Sequence, residues 1–181
     1  MLIEVFGSIG FGVIAGSFAL LAFGGDSLIE LISGLAVLGG LRSGSSLRNA
    51  SGGHGQRTEQ FTSALLFALI PVIGLGAVYS YITGLKPEGS PLGTAIAVGA
   101  VIVMPYLYVQ KKRIGRETRS LPLSIDAIES VTCLFMALAL LGGLLAEYFL
   151  RLWWADYLAT GVILAFVARE AIESYHELRE E

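Results

Sequence analysis

Asp26 and Glu30 stand four residues apart inside a run of Leu, Ile, Ala and Gly, and Glu129 and Cys133 repeat that spacing in a second such run. Side chains at i and i+4 share one face of a helix. Carboxylates and a thiolate are metal-ligand types, so two helices that each offer such a pair can enclose a four-ligand cation site. An ionisable group at bilayer depth is costly and ordinarily faces protein or a water-filled cavity, which makes it a functional-site hypothesis by default. Asp26, Glu30, Glu129 and Cys133 are therefore the candidate metal ligands. Asp126, three residues before Glu129, is expected to orient the site or to sit near its mouth.

Each residue also has a plainer reading. Asp26 and Glu30 can serve as polar glue, hydrogen-bonding backbone or serine groups between helices. Against that, two ionised acids one turn apart repel unless a cation lies between them. Cys133 can pack as a small hydrophobe, the usual fate of a free cysteine. The acidic tail Glu170, Glu173, Glu177, Glu180 and Glu181 around His176 reads as a solvated helix end.

The elements that must position these groups are membrane helices. The 181 residues are 54% hydrophobic and only 15% charged, against roughly 25% charged in a soluble domain, with a mean hydropathy of +0.70. The 23 glycines fit close helix packing in a bilayer. A net charge of −3 argues against a nucleic-acid partner, and a lone cysteine excludes an internal disulfide. The N-terminus lacks the basic n-region of a signal peptide and carries Glu4 instead. The partner implied is the lipid bilayer, and the location is a cell's inner (plasma) membrane.

Six apolar segments are predicted, over about 2–15, 18–41, 59–85, 92–109, 123–148 and 152–173; several reach the ~20 residues that span a ~30 Å core. The polar stretch from Arg42 to Arg57 reads as a loop and residues 86–91 as a turn. Pro71 and Pro105 fall inside helices, where neighbours can satisfy the freed carbonyls. Ten basic residues (Arg42, Arg48, Arg57, Lys111, Lys112, Arg113, Arg116, Arg119, Arg169 and Arg179) fall on one side and only Lys86 and Arg151 on the other. By the positive-inside rule both termini are cytoplasmic, and Trp153 and Trp154 anchor the sixth helix at the outer interface. The fold class expected is an all-α membrane protein: one six-transmembrane-helix bundle with both termini cytoplasmic and no soluble domain.

Several stretches resemble the cation diffusion facilitators. Gly16-Ser17, followed by Asp26 and Glu30, is similar to the start of that family's second helix, where a His or Asp follows ten residues after the Gly and an Asp four further on. Ser124 to Cys133 resembles its fifth-helix motif, with Glu129 and Cys133 standing where the family has His and Asp. Gly53-His54-Gly55 with Glu59 resembles the opening of its third helix, with one residue extra, and Asp156 stands where the family tends to keep an Asp. The resemblance raises His54, otherwise a solvated loop histidine, to a candidate for a secondary cytoplasmic metal site. Members usually continue past the sixth helix into a cytoplasmic ferredoxin-like domain; this sequence stops at Glu181.

What the resemblance implies is divalent metal export from the cytoplasm in exchange for protons, zinc foremost, with manganese, iron, cobalt or cadmium as other cargoes. It also implies rocking of helices one, two, four and five against three and six, and a homodimer, for which Gly7, Gly10, Gly74 and Ala77 offer small-residue faces. A thiolate favours zinc or cadmium, while oxygen ligands alone favour manganese. Ligands must be deprotonated to bind, so metal capture releases protons. The rival expectation is a non-transporting membrane protein with a structural or regulatory metal site. Enzyme readings are set aside, with no catalytic residues: two histidines cannot furnish a membrane di-iron centre, and an intramembrane aspartyl protease leaves the four-residue spacings unexplained.

Overall fold

The computed structural model describes the backbone of residues 2–42, 54–118 and 121–180, and within them the side chains of all but 33, 34, 36–42, 54–59, 115, 116, 118, 121–129, 174 and 177–180. Six helices follow one another: α1 (Leu2–Ala15), α2 (Phe18–Arg42), α3 (His54–Ile82), α4 (Pro91–Thr118), α5 (Leu121–Leu150) and α6 (Ala155–Glu180). Among the described residues there is no strand. The expected six-helix, all-α membrane bundle is what forms. By length and composition Gln60–Ile82, Pro91–Ile114 and Ser130–Leu150 suffice to cross a membrane, whereas α1 is shorter.

Helix ends differ from expectation where the chain turns polar. α3 begins at His54 rather than at 59, so residues 54–57 of the expected loop are helical; residues 43–53 lie outside the described residues. α4 runs to Thr118 and α6 to Glu180, well past 109 and 173. Apolar runs mark only the part of a helix that sits in lipid. Polar turns rich in Lys, Arg, Glu and Gln are good helix formers and extend it invisibly. α6 starts at Ala155 rather than 152, because Leu152 to Trp154 form the turn that Ala155 N–H closes onto Leu152 C=O at 2.9 Å.

α2 is the central helix. It packs on α1, α3, α5 and α6, while α4 lies along α5 and α3 along α6. Two glycines permit the closest approaches. A Cβ at Gly24 would stand 2.9 Å from Ser8 Cβ and 3.0 Å from Ile9 N on α1. One at Gly143 would stand 2.7 Å from Ala159 Cβ on α6. Gly7 abuts Ile96 of α4, Gly74 faces Leu164 of α6, and Ala77 is buried. Three of the four small residues considered for a dimer face thus serve contacts within the bundle. Gly10 has no such neighbour among the described residues.

The core runs through Leu20 and Phe23 of α2, Met104 of α4, Met136, Leu140 and Leu144 of α5, and Ile163 and Val167 of α6, all essentially inaccessible. The outer wall is also apolar: Val72, Leu75 and Tyr79 of α3 and Ile102 and Tyr106 of α4 are exposed, as bilayer-facing side chains must be. Pro71 and Pro105 lie inside α3 and α4 on that exposed side. The protein is an integral membrane protein.

Candidate metal centre

The α1–α2 turn sets the register of the site. Gly16 (φ +64°) ends α1 in the left-handed conformation that glycine tolerates, and Ser17 N–H closes onto Gly12 C=O at 3.0 Å. Ser17 then caps α2, its Oγ accepting the Leu20 N–H at 3.1 Å. The same hydroxyl donates to Asp156 Oδ1 at 2.5 Å, and Asp156 Oδ2 accepts the Phe18 and Ala19 N–H groups at 3.0 and 3.5 Å. A buried carboxylate from α6 therefore closes the N-terminus of α2, where the helix dipole favours negative charge. The Gly16-Ser17 pair and Asp156 are one structural unit.

From that fixed start, α2 carries Asp26 about 12 Å down the helix and Glu30 one turn further. Asp26 and Ser27 are buried, and Glu30 is half-buried. Cys133 on α5 meets them: its thiol donates to Glu30 Oε1 at 2.9 Å. One ligand atom each from Asp26, Glu30 and Cys133 lie within 4.8 Å of one another. Two unit negative charges about 5 Å apart repel by ~3 kcal/mol at an effective dielectric of ~20. An arrangement that aims two carboxylates and a thiol at one point is thus disfavoured unless protons or a cation share it.

Three of the four residues singled out for the site converge. Glu129 and Asp126 lie on α5, and His54 opens α3, but their side chains fall outside the described residues, as do Gly53 and the side chain of Glu59. Further groups border the cluster. Lys111 Nζ of α4 donates to Ser130 Oγ at 3.0 Å, tying α4 to α5 one turn from Cys133. Glu170 of α6 is half-buried and lies within electrostatic range of Cys133.

Placing Glu170 in a solvated helix end was therefore wrong for that residue, though right for Glu173, which is exposed and paired with Arg169 at 2.8 Å. The signal was available: Glu170 follows Val167 at i+3 and precedes Ala171, both fully buried. Toward the α1–α2 turn, the helix levels above the cluster are filled by Leu20, Phe23, Met136, Leu140 and Leu144. Those side chains are apolar and buried, and a low-dielectric surrounding strengthens electrostatics at the cluster.

Comparison with known proteins gives two findings. Residues 1–180 match the family described as the cation efflux transmembrane domain. The chain is also similar to the manganese efflux system protein MneS of Bacillus subtilis (strain 168), 26% identical over 171 residues. The match covers 92% of this chain and 59% of that relative, so the chain spans less than two thirds of the curated protein's length.

Proposed function

Since the chain belongs to the family of cation efflux transmembrane domains, we propose that it exports a divalent transition-metal cation from the cytoplasm, held in transit by Asp26, Glu30, Glu129 and Cys133. The observation that carries this reading is the meeting of Asp26, Glu30 and Cys133 within 4.8 Å between α2 and α5. Zinc fits a mixed carboxylate–thiolate set with tetrahedral geometry. Manganese is the second reading, favoured by the name of the relative and by the excess of oxygen over sulfur donors.

Exchange with protons follows from the ligand chemistry. The Cys133 thiol proton on Glu30 must leave before sulfur can coordinate, and returning protons release the metal. The termini are cytoplasmic, the membrane is the plasma membrane, and a homodimer is the assembly. His54 at the start of α3 is a secondary cytoplasmic metal residue, and Asp126 orients the main site.

Purified protein in vesicles that are acidic inside and hold a zinc-sensitive dye tests the proposal. Zinc should accumulate in the lumen, slow when the pH gradient is collapsed, and stop in Asp26→Asn. Zinc and manganese uptake no faster than in protein-free vesicles, from protein that still binds metal, would favour the non-transporting alternative.

A further inference from the structure

A groove of about 460 Å³ lies at the bundle end formed by the α3–α4 and α5–α6 connections, lined by Lys86, Pro87, Gly89, Glu147, Tyr148, Arg151 and Trp153. One side of it is acidic. Glu147 is 8% exposed, and its Oε2 is buried without a hydrogen-bond partner among the described residues. Asp156 and Glu88 lie within electrostatic range of it. A buried carboxylate oxygen lacking a donor is costly, so one is expected to come from outside the chain.

The other side is basic. Lys86 Nζ sits 5.7 Å from the centroid of the Trp153 ring, a cation–π contact. Arg151 is the one non-glycine residue with positive φ among those described (52°). Glycine is the low-strain residue in that conformation; an arginine there points to a use for its side chain. Trp153 and Tyr148 border the groove, and Phe149, Leu150 and Trp154 are exposed beside it. Trp and Tyr at helix ends sit at headgroup depth.

We propose that this groove binds the phosphoethanolamine headgroup of a phospholipid, phosphate on Lys86 and Arg151 and ammonium on Glu147. Opposite charges on the two sides of one groove fit a zwitterion better than a simple ion. A metal fits poorly, because among the described residues only Asp26, Glu30 and Cys133 bring three ligand atoms together. Choline fits poorly as well, since it has no N–H to give the Glu147 oxygen. The exposed apolar residues beside the groove supply a surface for acyl chains, which places the headgroup on a lipid.

Native mass spectrometry of the protein in micelles doped with phosphatidylethanolamine, phosphatidylcholine or phosphatidylglycerol of matched chains reads this directly. Phosphatidylethanolamine should be retained about tenfold better than the other two, given charge-assisted hydrogen bonds at both ends. Arg151→Gly relaxes the backbone, so a purely structural arginine predicts no change in lipid retention and an unchanged or higher melting temperature. The headgroup site predicts lost retention at that same melting temperature. Lys86→Ala, in the α3–α4 connection, should lose retention too. Glu147→Gln should erase the preference for ethanolamine over choline. Equal retention of the three lipids, or variants that hold phosphatidylethanolamine as the parent does, would overturn the proposal. So would complete displacement of the lipid by free phosphoethanolamine, which would make the ligand a soluble one.

Discussion

Asp26 and Asp156 are both buried aspartates within the same bundle, one on α2 and one on α6, and they are held by opposite logic. Asp156 is surrounded by donors: a hydroxyl and two backbone amides converge on its two oxygens, and the helix it caps gains a closed end. Asp26 shares its site with two other potential anions, Glu30 and Cys133, whose ligand atoms lie within 4.8 Å of its own. Donors around a carboxylate make it part of the scaffold. Acids around a carboxylate make it a place that a cation stabilises. Burial alone does not separate the two; the company each carboxylate keeps does.

The sharpest way to break this comparison is to exchange the readouts. Asp26→Asn should reduce zinc flux beyond the ~10–100-fold typical of losing an outer-shell metal partner, with the melting temperature unchanged or raised because like-charge crowding is relieved. Asp156→Ala should instead destabilise the protein by about 3 kcal/mol, the loss of a charged cap and its hydrogen bonds, with flux per folded molecule largely retained. Thermal melts and vesicle flux on the same preparations separate these outcomes. If Asp156→Ala kills flux in fully folded protein, the distinction fails.

A smaller effect is expected from pH. Protons compete for the carboxylates and the thiolate, so apparent metal affinity should weaken as pH falls, by about tenfold per pH unit for each proton released. Titration calorimetry in buffers of differing ionisation enthalpy counts those protons. Asp156→Asn should leave that slope alone, since its oxygens hold amides and not metal.

Smaller again is Cys133→Ser, which keeps a donor for Glu30 and loses the soft sulfur. The zinc-over-manganese preference should drop by about tenfold, measured by competitive uptake, with manganese flux intact. The least effect separates two glutamates on α6. Glu170→Gln should slow capture severalfold, because its half-buried carboxylate adds to the field at Cys133. Glu173→Gln should change nothing, because exposed ion pairs contribute little.

The helix count and the pairing of α2 with α5 were legible because apolar runs and four-residue spacings are local signals. Asp26, Glu30 and Cys133 could be read as one cluster for the same reason: one turn of helix converts spacing into a shared face. What stayed hidden was non-local or polar. The role of Asp156 requires knowing that the head of α6 meets the head of α2, a contact between residues 138 positions apart. The helical start at His54 was masked by the Gly and Ser of the preceding stretch, which read as loop whatever tertiary packing follows. Glu170 was misjudged by the acidic run that follows it, Glu173, Glu177, Glu180 and Glu181, although the buried Val167 and Ala171 beside it carried the opposite message.

X-ray absorption at the zinc edge of the metal-loaded protein tests the central claim most directly, that Asp26, Glu30 and Cys133 share one cation. One sulfur at ~2.3 Å with oxygens at ~2.0–2.2 Å is the spectrum expected, with the sulfur shell replaced by oxygen in Cys133→Ser and no bound zinc retained in Asp26→Asn. A zinc bound to nitrogen and oxygen only, and held equally well by Asp26→Asn, would contradict it.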